Sequence, residues 1–118
     1  MDAATKVEVV NKYVEAFDAV SMDLIREIYS DNATLEDPVG TDVRRGIDDI
    51  VAFYQTAFEM GAKLKLLGAP RCAGNSVAFP FQVDVGEMKI EAIDVFEFDA
   101  DGKVISMKAY WGEENTTA

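Results

Sequence analysis

The sequence predicts an α+β domain, because amphipathic helical patterns fill its first half and alternating strand patterns fill its second half. The 118 residues fit a single domain, 1–118, with no internal repeat, low-complexity stretch or linker. Hydrophobic residues make up 49% of the chain, which is enough for a core that needs no disulfide or metal.

Two helices are predicted before residue 33. The first begins at a capping box formed by Thr5 and Glu8 and runs to about Val20. Its apolar stripe consists of Val9, Val10, Tyr13, Val14 and Phe17. Ser21 caps a second, shorter helix that ends at Asp31-Asn32. Its apolar face consists of Leu24, Ile25, Ile28 and Tyr29.

A short extended segment, 34–37, separates the second helix from the third. Pro38 keeps Asp37 out of the helical region, and Gly40 favours a turn. The third helix follows Gly46, and the helix dipole favours acidic residues 48 and 49 in its first turn. Gly61 is its predicted stop. Its inward stripe consists of Ile47, Ile50, Val51, Tyr54 and Phe58.

The hydrophobic period changes to two after residue 62, which predicts a meandering antiparallel sheet. Residues 63–66 alternate first, and two long strands follow over 77–85 and 90–98. Asp101-Gly102 signals a hairpin turn before the last strand. The apolar face of that strand consists of Ile105, Met107, Ala109 and Trp111. Glu113 and Glu114 are predicted to form a frayed, charged tail.

Composition excludes several classes of function. There is no histidine, so Ser-His-Asp and Cys-His catalysis and histidine-bearing metal sites are excluded. Cys72 is the only cysteine, which rules out an intramolecular disulfide, and the scattered glycines form no phosphate-binding loop. We therefore expect no cofactor and no metal. The net charge of −11 disfavours nucleic acid and favours a neutral, apolar small molecule as the ligand.

The expected location is the cytoplasm, without membrane association. No apolar run approaches the roughly 20 residues that cross a bilayer. The N-terminus also lacks the charged-then-apolar pattern of a secretory signal.

Asp94 is the most informative polar residue, because strand parity puts it in phase with Phe96 and Phe98, opposite Glu91 and Glu97. A carboxyl group in such surroundings escapes the cost of an unpaired charge by staying protonated, and it can then donate a hydrogen bond. The alternative is that a strand bend exposes Asp94 to water, or that a lysine pairs with it.

Asp37 and three tyrosines are the other candidate site residues. Asp37 shares parity with Leu35, and its functional interpretation is a general base against an apolar wall; Asp-Pro is also a common turn starter. Tyr13, Tyr29 and Tyr54 lie on the apolar stripes of three helices, where their hydroxyls either join into a hydrogen-bonded chain or end at the rim of an ordinary core.

Six stretches of the chain resemble the bacterial ketosteroid isomerases (steroid Δ-isomerases) of the NTF2-like, or SnoaL-like, superfamily. The resemblance runs from about residue 10 to residue 115, and its most specific parts are the Glu-Asp-Pro-Val-Gly run at 36–40 and the acid of Ile-Asp-Val at 93–95. The other stretches are residues 12–14, 52–54, 78–81 and 109–113. The resemblance implies a conical fold in which a curved, mainly antiparallel sheet wraps around three N-terminal helices, and it implies a homodimer.

The resemblance also implies the role of each site residue. Asp37 matches the catalytic base, Tyr13 the oxyanion-hole tyrosine and Asp94 the oxyanion-hole carboxylic acid. Ketosteroid isomerases are themselves the known example of a carboxylic acid kept neutral at pH 7. Tyr29 and Tyr54 match tyrosines that hydrogen-bond behind the catalytic one in some members. The matched pocket-wall positions are Phe81, Met107 and Trp111.

The implied reaction is the cofactor-free transfer of a proton from C4 to C6 of a 3-oxo-Δ5 steroid. One alternative is another NTF2-like enzyme, such as a polyketide cyclase or an epoxide hydrolase. Cyclases commonly use histidine, which this chain lacks, and epoxide hydrolases use an Asp-Arg-Asp set, whereas no arginine lies in an apolar stripe here. The other alternative is a non-catalytic module that binds a small apolar ligand.

Overall fold

The computed structural model describes all 118 residues and contains three helices packed against a curved, eight-stranded mixed sheet. This is the α+β architecture that the sequence predicts. The helices are α1 (Ala3–Ala19), α2 (Met22–Ile28) and α3 (Ile47–Glu59). The strands are β1 (Tyr29–Glu36), β2 (Arg44–Arg45), β3 (Lys63–Leu66), β4 (Arg71–Ala73), β5 (Ser76–Val85), β6 (Met88–Phe98), β7 (Val104–Tyr110) and β8 (Thr116–Thr117).

Helix α1 starts one turn earlier than the capping box predicts. The Asp2 carboxylate caps the helix by accepting from the Thr5 backbone N–H at 2.9 Å. The predicted stripe is confirmed in its centre, where Val10, Tyr13 and Phe17 are buried. No helix of the structure is both long and apolar enough to span a membrane.

Helix α2 is capped by Ser21, as predicted, but it ends at Ile28 rather than at Asp31-Asn32. Tyr29 is already extended, because it begins β1 and lies opposite Val104 in the parallel β1–β7 pair. Helix α3 begins after Gly46, as predicted, and Gly61 follows its end with a φ of +79°, a backbone conformation that favours glycine.

The sheet has the strand order β2-β1-β7-β6-β5-β3, and its centre is the long antiparallel hairpin of β5 and β6. β4 pairs with the start of β5 and β3 with its end, whereas β7 pairs with the second half of β6 and β8 with its start. The only parallel pair is β1 with β7. Each half of the hairpin therefore has its own flanking strands.

Two expectations for the C-terminal part are wrong. A register shift between Glu97 and Phe98 makes Val104, rather than Ile105, the buried residue at the start of β7. Glu113 and Glu114 are not frayed, because they lie in a short 3₁₀ helix that β8 follows, and β8 pairs with Lys89 and Ile90 of β6.

Candidate active site

A single apolar cavity opens between the helices and the far half of the β5–β6 hairpin. The empty space between its walls, out to the open mouth, is about 720 Å³. Thirteen of its fourteen lining residues are hydrophobic, and Asp37 is the exception. The lining residues are Tyr13, Phe17, Asp37, Phe53, Tyr54, Ala57, Ala62, Leu64, Phe81, Val83, Val85, Ile90, Ala92 and Trp111. Such a wall suits an apolar ligand that reacts near one carboxyl group.

Asp37 lies just past the end of β1, where it faces the cavity and is half-buried. Its Oδ1 accepts a hydrogen bond from Trp111 Nε1 at 2.8 Å. Burial raises the pKa of Asp37, while the Trp111 hydrogen bond and the charge of Arg44 act in the opposite direction. The peptide bond between Asp37 and Pro38 is cis. A carboxylate that water solvates poorly, with one neutral donor, is suited to take a proton from carbon.

Asp94 is completely buried, at 0% exposure, and neither of its carboxyl oxygens has a hydrogen-bond partner. The parity prediction is confirmed, because Glu91 and Glu97 are exposed on the opposite face of β6. Burial, followed by the charge of Asp37, raises the pKa of Asp94 well above its ordinary value. The favoured form is a neutral carboxylic acid, which has an O–H to donate.

The three tyrosines form a buried hydroxyl chain. Tyr54 lies in its middle, with its hydroxyl 3.0 Å from that of Tyr13 and 2.5 Å from that of Tyr29. Burial raises the pKa of all three well above the ordinary value, so each hydroxyl keeps its proton. The charge of Asp94 is the next cause for Tyr13. The two residues are neighbours, because the Tyr13 ring packs against Phe79, which lies directly opposite Asp94 across the β5–β6 pair. When Tyr54 donates to Tyr13, the Tyr13 proton is free for a ligand.

Three elements bring these groups together at one end of the cavity, where Tyr13 and Tyr54 line the wall and Asp94 lies behind it, two residues from the lining residue Ala92 on the same face of β6. α1 presents Tyr13 and α3 presents Tyr54, because both residues lie on the inward helical stripes. Asp94 projects from the same face of β6 as Phe96, whose ring is 5.1 Å from that of Tyr13 in an edge-to-face arrangement. The aromatic packing holds Tyr13 in place. Asp37 reaches the cavity from the segment that directly follows the end of β1.

The structure places only some of the pocket-wall residues that the resemblance implies at the cavity. Phe81 and Trp111 line the cavity. Met107 does not, because it is 1% exposed and lies opposite Phe96 and Leu35 on the neighbouring strands, within the core. Tyr29 also lies outside the wall and reaches it only through Tyr54.

Several cavity residues were missed from the sequence. Phe53 and Ala57 line the cavity from α3. They follow Ile50 by three and seven residues, a helical spacing that indicates an apolar stripe and was the signal that could have found them. The Trp111 hydrogen bond to Asp37 joins residues 74 positions apart, so local sequence carries no sign of it. No group of three or more His, Cys, Asp or Glu side chains is placed to hold a metal ion.

Comparisons with known proteins agree with this geometry. Residues 10–107 match the SnoaL-like domain family. The chain is 40% identical to a steroid Δ-isomerase of Nocardioides simplex, over 94% of this chain and 92% of that protein. It also superposes with a TM-score of 0.90 on a solved structure of SalBIII, an epoxide hydrolase/cyclase-like enzyme with a role in pyran ring formation in the polyether salinomycin. That pair is 28% identical, and the match covers 99% of this chain and 98% of the other.

Proposed function

The chain belongs to the SnoaL-like domain family and is an isomerase, and we propose that it converts a Δ5-3-ketosteroid into the conjugated Δ4 ketone. The observation that carries this proposal is the pairing of Asp37 in the cavity wall with the buried, unpartnered carboxyl group of Asp94 beside Tyr13. The steroid isomerase relative supports the choice of substrate class. We propose no cofactor, because the reaction only moves a proton.

The reaction begins when the steroid enters the cavity with its 3-oxo end toward Tyr13 and Asp94. Asp37 removes a proton from C4, which lies between the carbonyl group and the double bond. The electron pair of the C4–H bond moves into the ring system, and negative charge develops on the 3-oxygen of a dienolate. The hydroxyl of Tyr13 and the acid of Asp94 donate to that oxygen in a site with little water.

The second half of the reaction returns the same proton. Protonated Asp37 delivers it to C6, the carbonyl reforms, and the double bond now lies between C4 and C5. Asp37 is again a carboxylate, so the atoms and electrons balance without a co-reactant. The raised pKa of Asp37 makes it a better match to the weakly acidic carbon than an ordinary aspartate is.

The test is an absorbance assay with 5-androstene-3,17-dione, in which the conjugated enone product absorbs and the substrate does not. We expect rapid growth of the enone signal, and we expect Asp37→Asn to lower kcat by at least about a hundredfold, because the base is lost. Asp94→Ala is expected to cost more than Asp94→Asn, since an amide still donates. Asp42→Asn is the matched control, because Asp42 is exposed and loses the same charge. Near-normal turnover by Asp37→Asn would rule out its role as the base.

A second candidate function is acid–base opening of an epoxide or closure of an ether ring, which the similarity to SalBIII favours. Asp37 and Asp94 would again act as base and acid. The cavity wall contains no arginine, because Arg44 lies only at the mouth, stacked on Phe53, so the wall itself does not hold the Asp-Arg-Asp set of epoxide hydrolases. Steroid turnover would favour the isomerase, whereas steroid binding without turnover would favour this candidate or a non-catalytic binding protein.

We also propose that the protein is a homodimer. Ile93 of β6 and Tyr110 of β7 lie opposite each other on the outer face of the sheet, and each is 48% exposed. This apolar pair is the part of the sheet face that we expect a second chain to cover. Sedimentation of the wild type should give a dimer and Ile93→Glu should give a monomer; a monomeric wild type at micromolar concentration contradicts the proposal.

A further inference from the structure

Arg44 lies on the edge strand next to the proposed base. It pairs directly with Leu35 across β1 and β2, and directly opposed residues of two strands share one face of the sheet. Leu35 is buried on the face that packs against the helices, and Asp37 lies two residues further along with the same parity. The side chain of Arg44 therefore emerges on the cavity side of the sheet, beside Asp37.

The guanidinium group of Arg44 is held there by stacking alone. Its Cζ lies 4.9 Å from the ring centroid of Phe53, and Phe53 lines the cavity. Arg44 makes no ion pair and no side-chain hydrogen bond. The two ion pairs of the structure involve other cations and join Lys12 to Glu27 and Arg26 to Asp48. The charge of Arg44 is thus left without a carboxylate partner at the cavity mouth.

We propose that Arg44 is a positioning residue that acts through Asp37 and keeps this base ionised in the free enzyme. The inference rests on the proposed function of Asp37. It adds an electrostatic role for a side chain that touches neither the substrate nor the reacting carbon atoms.

The titratable groups nearest to Asp37 inside the site are neutral in the free enzyme. Tyr13 of α1 and Tyr54 of α3 keep their protons, and the favoured form of Asp94 on β6 is the neutral acid. Trp111 donates one uncharged N–H. Burial raises the pKa of Asp37, and Arg44 is the one cation that opposes this rise. Without Arg44, more of the base would be protonated, and therefore inactive, at the acidic end of the working range.

The sign of the effect separates this role from a merely structural one. The acidic limb of kcat/KM follows the ionisation of the base in the free enzyme. Removal of the cation raises the pKa of Asp37 further, so the limb moves to higher pH. The loss is then largest in acid and shrinks as Asp37 becomes ionised in both proteins. A variant that is only misfolded or loosened loses activity at every pH.

The experiment compares pH profiles of kcat/KM for the wild type, Arg44→Gln, Arg44→Lys and Arg45→Gln at constant ionic strength. On the acidic limb, Arg44→Gln should lose about twofold to fivefold, the effect of one unit charge beyond ion-pair distance through a water-like dielectric. Arg44→Lys keeps the charge and should keep the limb near its wild-type position. Arg45→Gln is the matched control, because Arg45 is exposed like Arg44 and carries the same charge, but lies opposite Thr34 and therefore on the other face of the sheet.

A measurement without turnover keeps the inference separate from the proposed function. The carboxyl carbon of ¹³C-labelled aspartate is titrated by NMR in the wild type and in Arg44→Gln, and Asp37→Asn assigns the signal. An Asp37 titration that moves to higher pH in Arg44→Gln supports the inference even if the wild type turns over no steroid. An unmoved titration, or an equal shift in Arg45→Gln, overturns the inference about Arg44. Steroid turnover by the wild type would still leave the proposed function intact in that case.

Discussion

The fully buried Asp94 makes stability depend on pH in a way that one substitution isolates. In the unfolded chain this carboxyl group ionises near its ordinary pKa of 3.8, whereas burial keeps it protonated to much higher pH in the folded protein. Folding at neutral pH therefore takes up a proton. Over the pH range in which Asp94 is ionised in the unfolded chain but protonated in the folded protein, each pH unit makes folding less favourable by about 1.4 kcal/mol. The cost is absent below the unfolded pKa and grows as the pH rises toward the folded pKa.

Asp94→Asn removes this titration and keeps the shape of the side chain. We expect the unfolding free energy of the variant, minus that of the wild type, to rise between pH 5 and pH 8 by about 1.4 kcal/mol per pH unit while Asp94 stays protonated in the folded protein. Urea unfolding at a fixed protein concentration measures both values, and Asp42→Asn serves as the exposed control. A difference that does not change with pH would show that Asp94 has no raised pKa, and the neutral donor would be refuted.

Three further predictions concern the site and its packing. Tyr13→Phe should lower kcat by about a hundredfold to a thousandfold, because it removes an oxyanion donor. Tyr54→Phe should lower kcat only about twofold to tenfold, since it removes one neutral hydrogen bond behind that donor. Steady-state kinetics with 5-androstene-3,17-dione would measure both, and equal losses would contradict the assigned order of the chain. Trp111→Phe should move the acidic limb of kcat/KM to higher pH, because the hydrogen bond that it removes lowers the pKa of Asp37; a limb at or below the wild-type position argues against this. Phe96→Ala should lower the free energy of unfolding, measured with urea, by about 3–5 kcal/mol, because the ring is 0% exposed and packs edge-on against Tyr13. A loss below about 1 kcal/mol would mean that the surrounding residues collapse into the void.

The elements that local pattern controls were predicted well. The strands of the β5–β6 hairpin follow alternation with a period of two, and α3 follows a stripe that starts after Gly46. The errors lie where a partner distant in sequence decides the outcome. Tyr29 reads as the end of a helical stripe, but it is extended because it pairs with β7. Glu113 and Glu114 read as a loose tail, but the pairing of β8 with β6 keeps the C-terminus ordered.

The sequence by itself determined that an acid lies on the apolar face of a strand, because side chains alternate strictly along an extended backbone and Asp94 cannot leave the face of Phe96 without a bulge. It also placed Tyr13 and Tyr54 on inward helical stripes. Only the tertiary structure decided which of these groups meet. The Tyr13–Tyr54 contact, the Trp111–Asp37 hydrogen bond and the stacking of Arg44 on Phe53 each depend on how separate elements pack. Local periodicity records which face a residue occupies, but the curvature of the sheet and the register of its strands set what lies opposite that face.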